Sequence, residues 1–219
     1  MDTVLSETLN RPRVIFVGAG DFGRELVSWF LHIYLDNLDE RTLGFIDDSV
    51  STMRAGGRDL SFFGPINNFT PLVGDQLYMT ISNPPIRSRI AHQLKDGGSK
   101  FSSFVHPSAL IASTAIIGEG CILGPYSLVS ENAVLDEFVI VNSYSSIGHD
   151  VRVGACTTLS SHIDLTGHVR VGSEVFIGSG ARVLPRQIVG NSAVVGAGAV
   201  VMRSIPNGRT AYASPAKLL

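Results

Sequence analysis

Charge is scarce in this chain, and so are cysteine and long apolar runs. Only 16% of the 219 residues are charged, and the formal net charge is −2. No basic stretch exists that could neutralise a run of phosphates, so nucleic-acid binding is not expected. No window approaches about 18 consecutive apolar residues, so neither a transmembrane helix nor membrane insertion is expected. The opening MDTVLSETLNRPR has no apolar core of signal-peptide length, which points to the cytoplasm. Cys121 and Cys156 are the only cysteines and read as small buried side chains rather than a disulfide. What is plentiful is apolar side chain. At 44% of residues it can fill a sizeable core, and the chain is too poor in charge to be disordered.

A repeat organises the second half. Stepping by six from Val105 through Ile111, Ile117 and Leu123 to Val201 meets seventeen residues, all aliphatic. Glycine often follows that aliphatic residue, as at Gly118, Gly148 and Gly172, and two residues before the next one the side chain is mostly small. A period of six is neither helical nor an alternating strand. It matches a parallel β-helix in which each face takes one hexapeptide and three faces make a coil of 18 residues. The aliphatic residue points inward, glycine relieves the backbone at corners, and the prism spans five to six coils.

The first half reads as α/β. Arg13 to Val17 is a β-branched and aromatic run, hence a strand. It enters Gly18-Ala19-Gly20-Asp21-Phe22-Gly23, and a helix over about Arg24 to Tyr34 follows. A second strand, Leu43 to Ile46, ends at Asp47-Asp48. A GxGxxG between strand and helix, with an acid further on, is the order of a nucleotide-binding unit, because glycines let backbone N–H groups approach phosphate. Strands near Gln76–Ile81 and Phe101–Phe104 and a helix over about Pro85 to Lys95 complete it. The length suits one nucleotide moiety better than a full dinucleotide fold. The expected division is an N-terminal arm over 1–12, a Rossmann-like domain over 13–104 and the β-helix over 105–219.

From about Arg13 to Lys217 the chain resembles the nucleotide-sugar and sialic-acid acetyltransferases among the hexapeptide-repeat acyltransferases, including the enzymes that acetylate 4-amino sugars on the way to bacillosamine and perosamine. GAGDFG, GFIDDS, FFGPINNF, HPSA, IGHD, VGAGAVV and a final SPAK carry the resemblance. Ala213-Ser214 departs from the family's GxPAK. The resemblance implies a left-handed helix, a homotrimer, acetyl-CoA as co-substrate and no metal. It also implies that the first domain binds a nucleotide sugar and the second transfers the acyl group.

His149, in Ile147-Gly148-His149-Asp150, falls at a coil corner where side chains project outward. A neutral imidazole there can serve as general base, and Asp150 can hold its tautomer. In the family the histidine of this segment is that base. Gly167 lies 18 residues on, one coil higher. The matching family glycine offers its N–H to the thioester carbonyl. The bacillosamine-pathway members place a cofactor-contacting histidine nine residues after the base, where this chain has Thr158. Gly178, Gly180, Ala181, Ala197 and Ala199 either line a path for the pantetheine arm or are simply the small residues the fold needs. Asn142 matches a sugar-contacting family position or belongs to an internal ladder. For the nucleotide sugar the candidates are Gly18, Gly20, Asp21, Phe22, Gly23, Asp47, Asp48, Asn83 and Arg87, the last expected to reach a phosphate. His162 and His168 read as surface or inter-subunit residues.

These readings converge on an N-acetyltransferase for a nucleotide-linked amino sugar, by direct attack. Nothing beside Cys156 in sequence suggests the activating base an acyl-enzyme needs. The rivals are O-acetylation of sialic acid or another sugar hydroxyl, a non-catalytic nucleotide-sugar-binding protein, and a zinc hydratase on the same helix. The hydratase needs three converging histidines, and His162 and His168 lack its spacing.

Overall fold

The structure, a computed structural model, describes residues 13–34 and 42–213. The expected arm over 1–12 and the SPAK segment from Ser214 lie outside the described residues. The chain forms two compact units. One holds the residues up to Ile81 together with Arg89–Ser102, the other Ser82–Ser88 together with Ser103 onwards.

In the first unit, β1 (Val14–Val17), β2 (Leu43–Ile46), β5 (Ser61–Phe62) and β6 (Gln76–Met79) form a parallel sheet in the order β5-β2-β1-β6. The hairpin β3 (Arg54–Ala55) with β4 (Arg58–Asp59) stands apart from it. β1 and β2 are almost wholly buried, which suits their unbroken apolar runs. Helix α1 (Asp21–Tyr34) begins with an acid in its first turn, the favourable sign at that end. It buries Leu26, Val27, Phe30 and Leu31, and the Phe30 ring meets Phe16 edge-on at 5.4 Å. Phe101 adds only a single bridge, to Leu77, where a strand to Phe104 was expected. Phe104 itself is already the first rung of the second unit.

That second unit is a parallel β-solenoid of the left-handed type, with sheets of seven, six and five strands. The two-residue strands pair 18 residues apart, as Ile122 does with Ile140, except at the end, where Val194 pairs with Thr210 after 16. The inward aliphatic residues from Leu123 to Val201 form one core together with Val139, Val151, Ile163, Val169 and Val175. Burying each such side chain contributes roughly 1.5–3 kcal/mol before entropy is counted. Helix α2 (Pro84–Asp96) follows Asn83, whose Oδ1 caps the Ile86 N–H at 3.1 Å.

The corners differ from expectation. Every sixth residue from Tyr126 to Ser192 has a left-handed backbone, and eleven of these residues are not glycine, with φ between 54° and 64°. Each costs roughly 1–2 kcal/mol in isolation. The corner N–H groups offset that by bonding to the coil below, as Asp150 N does to Glu131 O at 2.9 Å. The glycines after the aliphatic residues serve close approach instead. A Cβ on Gly154 would lie 2.6 Å from the Gly172 carbonyl carbon one coil up.

Candidate functional site

The 18-residue register stacks Asn132, Asp150 and His168 on one corner, with His149 beside them. The Asp150 amide is held by Glu131 O and the His168 amide by His149 O, so all three Cα positions are fixed by the ladder. Their side chains remain in solvent, 60% exposed for His149 and 37% for Asp150. His149 Nδ1 lies 2.8 Å from Asp150 Oδ2. Asn132 Nδ2 approaches the other carboxylate oxygen at 3.4 Å, and Arg170 donates to the Asp150 backbone carbonyl at 3.3 Å.

The His149 hydrogen bond, with smaller help from Asn132 and His168, holds the Asp150 carboxyl below the usual carboxylate range. Asp150 is therefore an anion at neutral pH, and the Nδ1–H of a neutral His149 must be the donor. The lone pair then sits on Nε2, ready to accept a proton. That face of the ring lies over Gly167: a Cβ built there would stand 2.5 Å from Nε2. Glycine at 167 is thus a steric requirement of the ring packed against it.

His168 was not among the expected site residues, yet its Nδ1 lies 3.9 Å from Asp150 Oδ2 and its ring meets His149 edge-on at 5.0 Å. The signal was present: His168 is one coil above Asp150, by the same step that links His149 to Gly167. The ligand atoms of His149, Asp150 and His168 all lie within 4.8 Å of one another, close enough to share a metal ion.

Other expected residues are dispersed over the solenoid. Asn142, Gly180 and Ala197 belong to the next corner round, that of Tyr126, Tyr144 and His162. There Asn142 Oδ1 accepts the Ser143 N–H at 2.6 Å, and the three rings stack at 5.0 and 5.1 Å. Ala181 and Ala199 are core residues and offer no side chain to a ligand outside, which corrects their reading as cofactor contacts. Gly178 is buried too, with the next coil's Ala197 N only 2.7 Å from where its Cβ would be. For these three, the need of the fold for small residues is the reading that stands.

Arg87 needs the firmest correction. Its guanidinium is fully buried and donates to Ser82 O at 3.0 Å, Cys156 O at 2.7 Å and Thr158 Oγ1 at 2.8 Å. Burial lowers its pKa to about 10, so it stays charged at neutral pH, but it cannot reach a phosphate in solvent. Thr158 Oγ1 in turn donates a hydrogen bond to Ser82 O at 2.7 Å, so this position ties Ser82–Ser88 to the solenoid. Both cysteines are free and buried. Asn83 sits at a groove of about 400 Å³ between Pro84 and Pro85 on one side and Glu174, Phe176 and Val194 on the other.

In the first unit the glycine loop is tightly tied. Gly18 takes φ +106°, and a Cβ on Gly23 would strike Gly18 O at 2.5 Å. Thr80 Oγ1 lies within hydrogen-bonding distance of the Val17 and Gly18 carbonyls. Asp47 spends one oxygen on Ala19 N at 2.8 Å and the other on Ser49 and Val50 N–H. One N–H of the loop is thereby already taken by a carboxylate. Gly20 faces open space, Asp21 pairs with Arg24 in solvent, and Phe22 meets Trp29 edge-on at 6.3 Å. Asp48 is exposed and accepts the Asn67 N–H at 3.2 Å.

Among known proteins, no family model matches the chain. It is 31% identical over 117 residues to UDP-N-acetylbacillosamine N-acetyltransferase of Bacillus subtilis (strain 168). That match covers 50% of each, so the chain spans about half the length of this curated relative. A His→Asn variant of perosamine N-acetyltransferase from Caulobacter crescentus, solved with CoA and GDP-perosamine, superposes with a TM-score of 0.80 at 25% identity. The superposition covers 94% of this chain and 95% of that one. The acetyltransferase domain of PglB from Neisseria gonorrhoeae FA1090 superposes with a TM-score of 0.82 at 30% identity, over 95% of this chain and 100% of that domain. It has also been solved with acetyl coenzyme A. Identity of 30% along the whole of that domain, on one shared fold, makes the chain a member of the nucleotide-sugar and sialic-acid acetyltransferase family of hexapeptide-repeat acyltransferases.

Proposed function

We propose that the protein is an acetyl-CoA-dependent N-acetyltransferase acting on a nucleotide-linked amino sugar, with His149 as general base. The observation that carries this is the corner itself: an anionic Asp150 bonded to His149 Nδ1 at 2.8 Å, with Nε2 over Gly167. The sugar amine attacks the thioester carbonyl carbon while Nε2 takes a proton from the nitrogen. The Gly167 N–H holds the oxyanion of the tetrahedral intermediate. Collapse expels CoA thiolate, which takes up a proton, and Asp150 stabilises the imidazolium in between.

In this reading the first unit is a Rossmann-like domain that holds the nucleotide, with Gly20, Phe22 and Asp48 as its more available groups and Asn83 lining the groove beside α2. A homotrimer accounts for the dispersal of the remaining residues. Asn142, Gly180 and Ala197 lie one corner away from His149 in the same chain, and a neighbouring copy can bring such a corner to it. A cytoplasmic location goes with the reading, because acetyl-CoA is available there. Among the described residues no helix is long and apolar enough to cross a membrane.

The test is acetyl transfer from acetyl-CoA to a panel of UDP-, dTDP- and GDP-linked amino sugars, with wild type and His149→Ala. One amino sugar should turn over, and the variant should lose roughly 10²–10⁴-fold in rate. Turnover only with sialic acid or another hydroxyl sugar would replace N- by O-acetylation. Turnover indifferent to His149→Ala would end the mechanism.

A further inference from the structure

The geometry points to a second property of the same corner: His149, Asp150 and His168 form a site for a divalent transition ion such as Zn²⁺, and its occupation disables the base. The inference rests on His149 being that base.

Two imidazoles and one carboxylate are a donor set zinc accepts, at about 2.0–2.2 Å from each ligand atom. Three such ligands around a tetrahedral ion stand roughly 3.3–3.5 Å apart. Here Asp150 Oδ2 is 2.8 Å from His149 Nδ1 and 3.9 Å from His168 Nδ1, and no ligand atom is more than 4.8 Å from another. The observed separations bracket the requirement. Asp150 and His168 hold left-handed backbones at φ 59° and 62°, and both amides are tied to the coil below. Rotations of exposed side chains close the site while the backbone stays fixed. His149 already points Nδ1 at the carboxylate, and His168 presents its ring edge-on. The Arg170 guanidinium on the Asp150 carbonyl opposes a cation, whereas the carboxylate, low in pKa, favours one without having to lose a proton.

Inhibition follows from proton placement. A neutral imidazole carries one proton. In the resting corner it sits on Nδ1, and the Nε2 lone pair is free. When zinc takes the Nδ1 lone pair, the proton moves to Nε2, and the ring stays neutral. Nε2 then donates where the mechanism needs it to accept. No net proton is released by the ring, and the water lost from the ion is the only leaving group.

The experiment is calorimetric titration of the EDTA-washed full chain with Zn²⁺ alone, for wild type and His168→Asn. Asparagine is chosen because it tolerates the left-handed backbone at this position. Wild type should bind one ion per chain and His168→Asn at least about tenfold more weakly, a floor set by what losing even an outer partner costs a metal site. Acetylated sugar, rather than thiol, is followed in parallel, since free CoA thiol itself binds zinc. The rate should fall as zinc saturates and return with EDTA. The ¹⁵N spectrum of His149 should show the proton move from Nδ1 to Nε2, which needs no substrate. No saturable binding, equal binding by His168→Asn, or saturation without the tautomer change would each overturn the inference. Failure of every sugar to react would instead count against the enzymatic reading and leave the calorimetric and spectral results to decide the site.

Discussion

Gly167→Ala tests the corner with one methyl group. Its Cβ would lie 2.5 Å from His149 Nε2 and 2.7 Å from Cε1. Ordinary contact begins near 3.4 Å, so the ring must retreat by roughly 1 Å. It can do so, because the side chain is 60% exposed, but the retreat breaks the 2.8 Å bond to Asp150. A 1 Å misplacement of a reacting group costs on the order of 10²-fold in rate, about 2.7 kcal/mol of barrier. Alanine keeps the backbone N–H at 167, and Gly167 is not one of the left-handed residues, so the oxyanion donor and the fold should survive. The assay is formation of acetylated sugar by wild type, both single variants and the Gly167→Ala/His149→Ala double variant, alongside thermal unfolding. The double variant should be no slower than His149→Ala within about threefold, since both changes remove the same base. A Gly167→Ala enzyme at the wild-type rate, or losses that multiply in the double variant, would refute the coupling of ring to glycine.

Two further outcomes concern stability. Burial alone would raise the Asp75 carboxyl, but the Arg13 side chain and the Leu72 and Arg13 amides outweigh it and hold it below its ordinary value. A lowered native pKa adds stability that is complete above the unfolded value and lost as pH falls through the native one. Asp75→Asn removes these charge-assisted hydrogen bonds and should cost about 1.5–3 kcal/mol near neutrality, and the gap from wild type should close as pH falls below about 4, as urea unfolding across pH would record. Arg87→Met keeps the volume but leaves Ser82 O, Cys156 O and Thr158 Oγ1 without this donor. It should cost about 2–5 kcal/mol by the same unfolding assay, and a cost under about 0.5 kcal/mol would contradict the account of that buried guanidinium.

The solenoid was legible because its core demands the same residue at the same phase. From Leu123 to Val201 each inward position meets a closed cavity, and only aliphatic side chains fill it. The corners were not legible by propensity. Tyr126, Phe138, Cys156 and Glu174 are poor left-handed residues, and the bonds of their N–H groups to the coil below, to Ser108 Oγ for Tyr126 and to backbone carbonyls for the others, hold them there rather than their own preference. His149 and Gly167 could be paired because the coil length is visible in the core spacing. His168 stood on the same arithmetic, but its link to Asp150 is a matter of side-chain rotamers, which spacing does not show. Arg87 was opaque for a different reason. An arginine after a capping asparagine looks solvated, and its partner Cys156 is 69 residues away, with no local pattern to announce it. β5 was too short to stand out, at two residues beside a glycine and a proline.

The coil length also sets what changes in length the chain can absorb. The strands of each coil pair with those of the coils below and above it, so away from the coil that holds Arg87 the solenoid can gain or lose a whole turn with every side chain still on its own face. A single hexapeptide is different. Inserted between Asp150 and Gly167, it would satisfy the core, keep the hydrophobic phase intact and leave a well-folded prism. Gly167 and His168 would nevertheless rotate to another corner, leaving His149 under a stranger. Foldability here has a period of six and the site a period of eighteen, so drift in length can silence this protein without unfolding it.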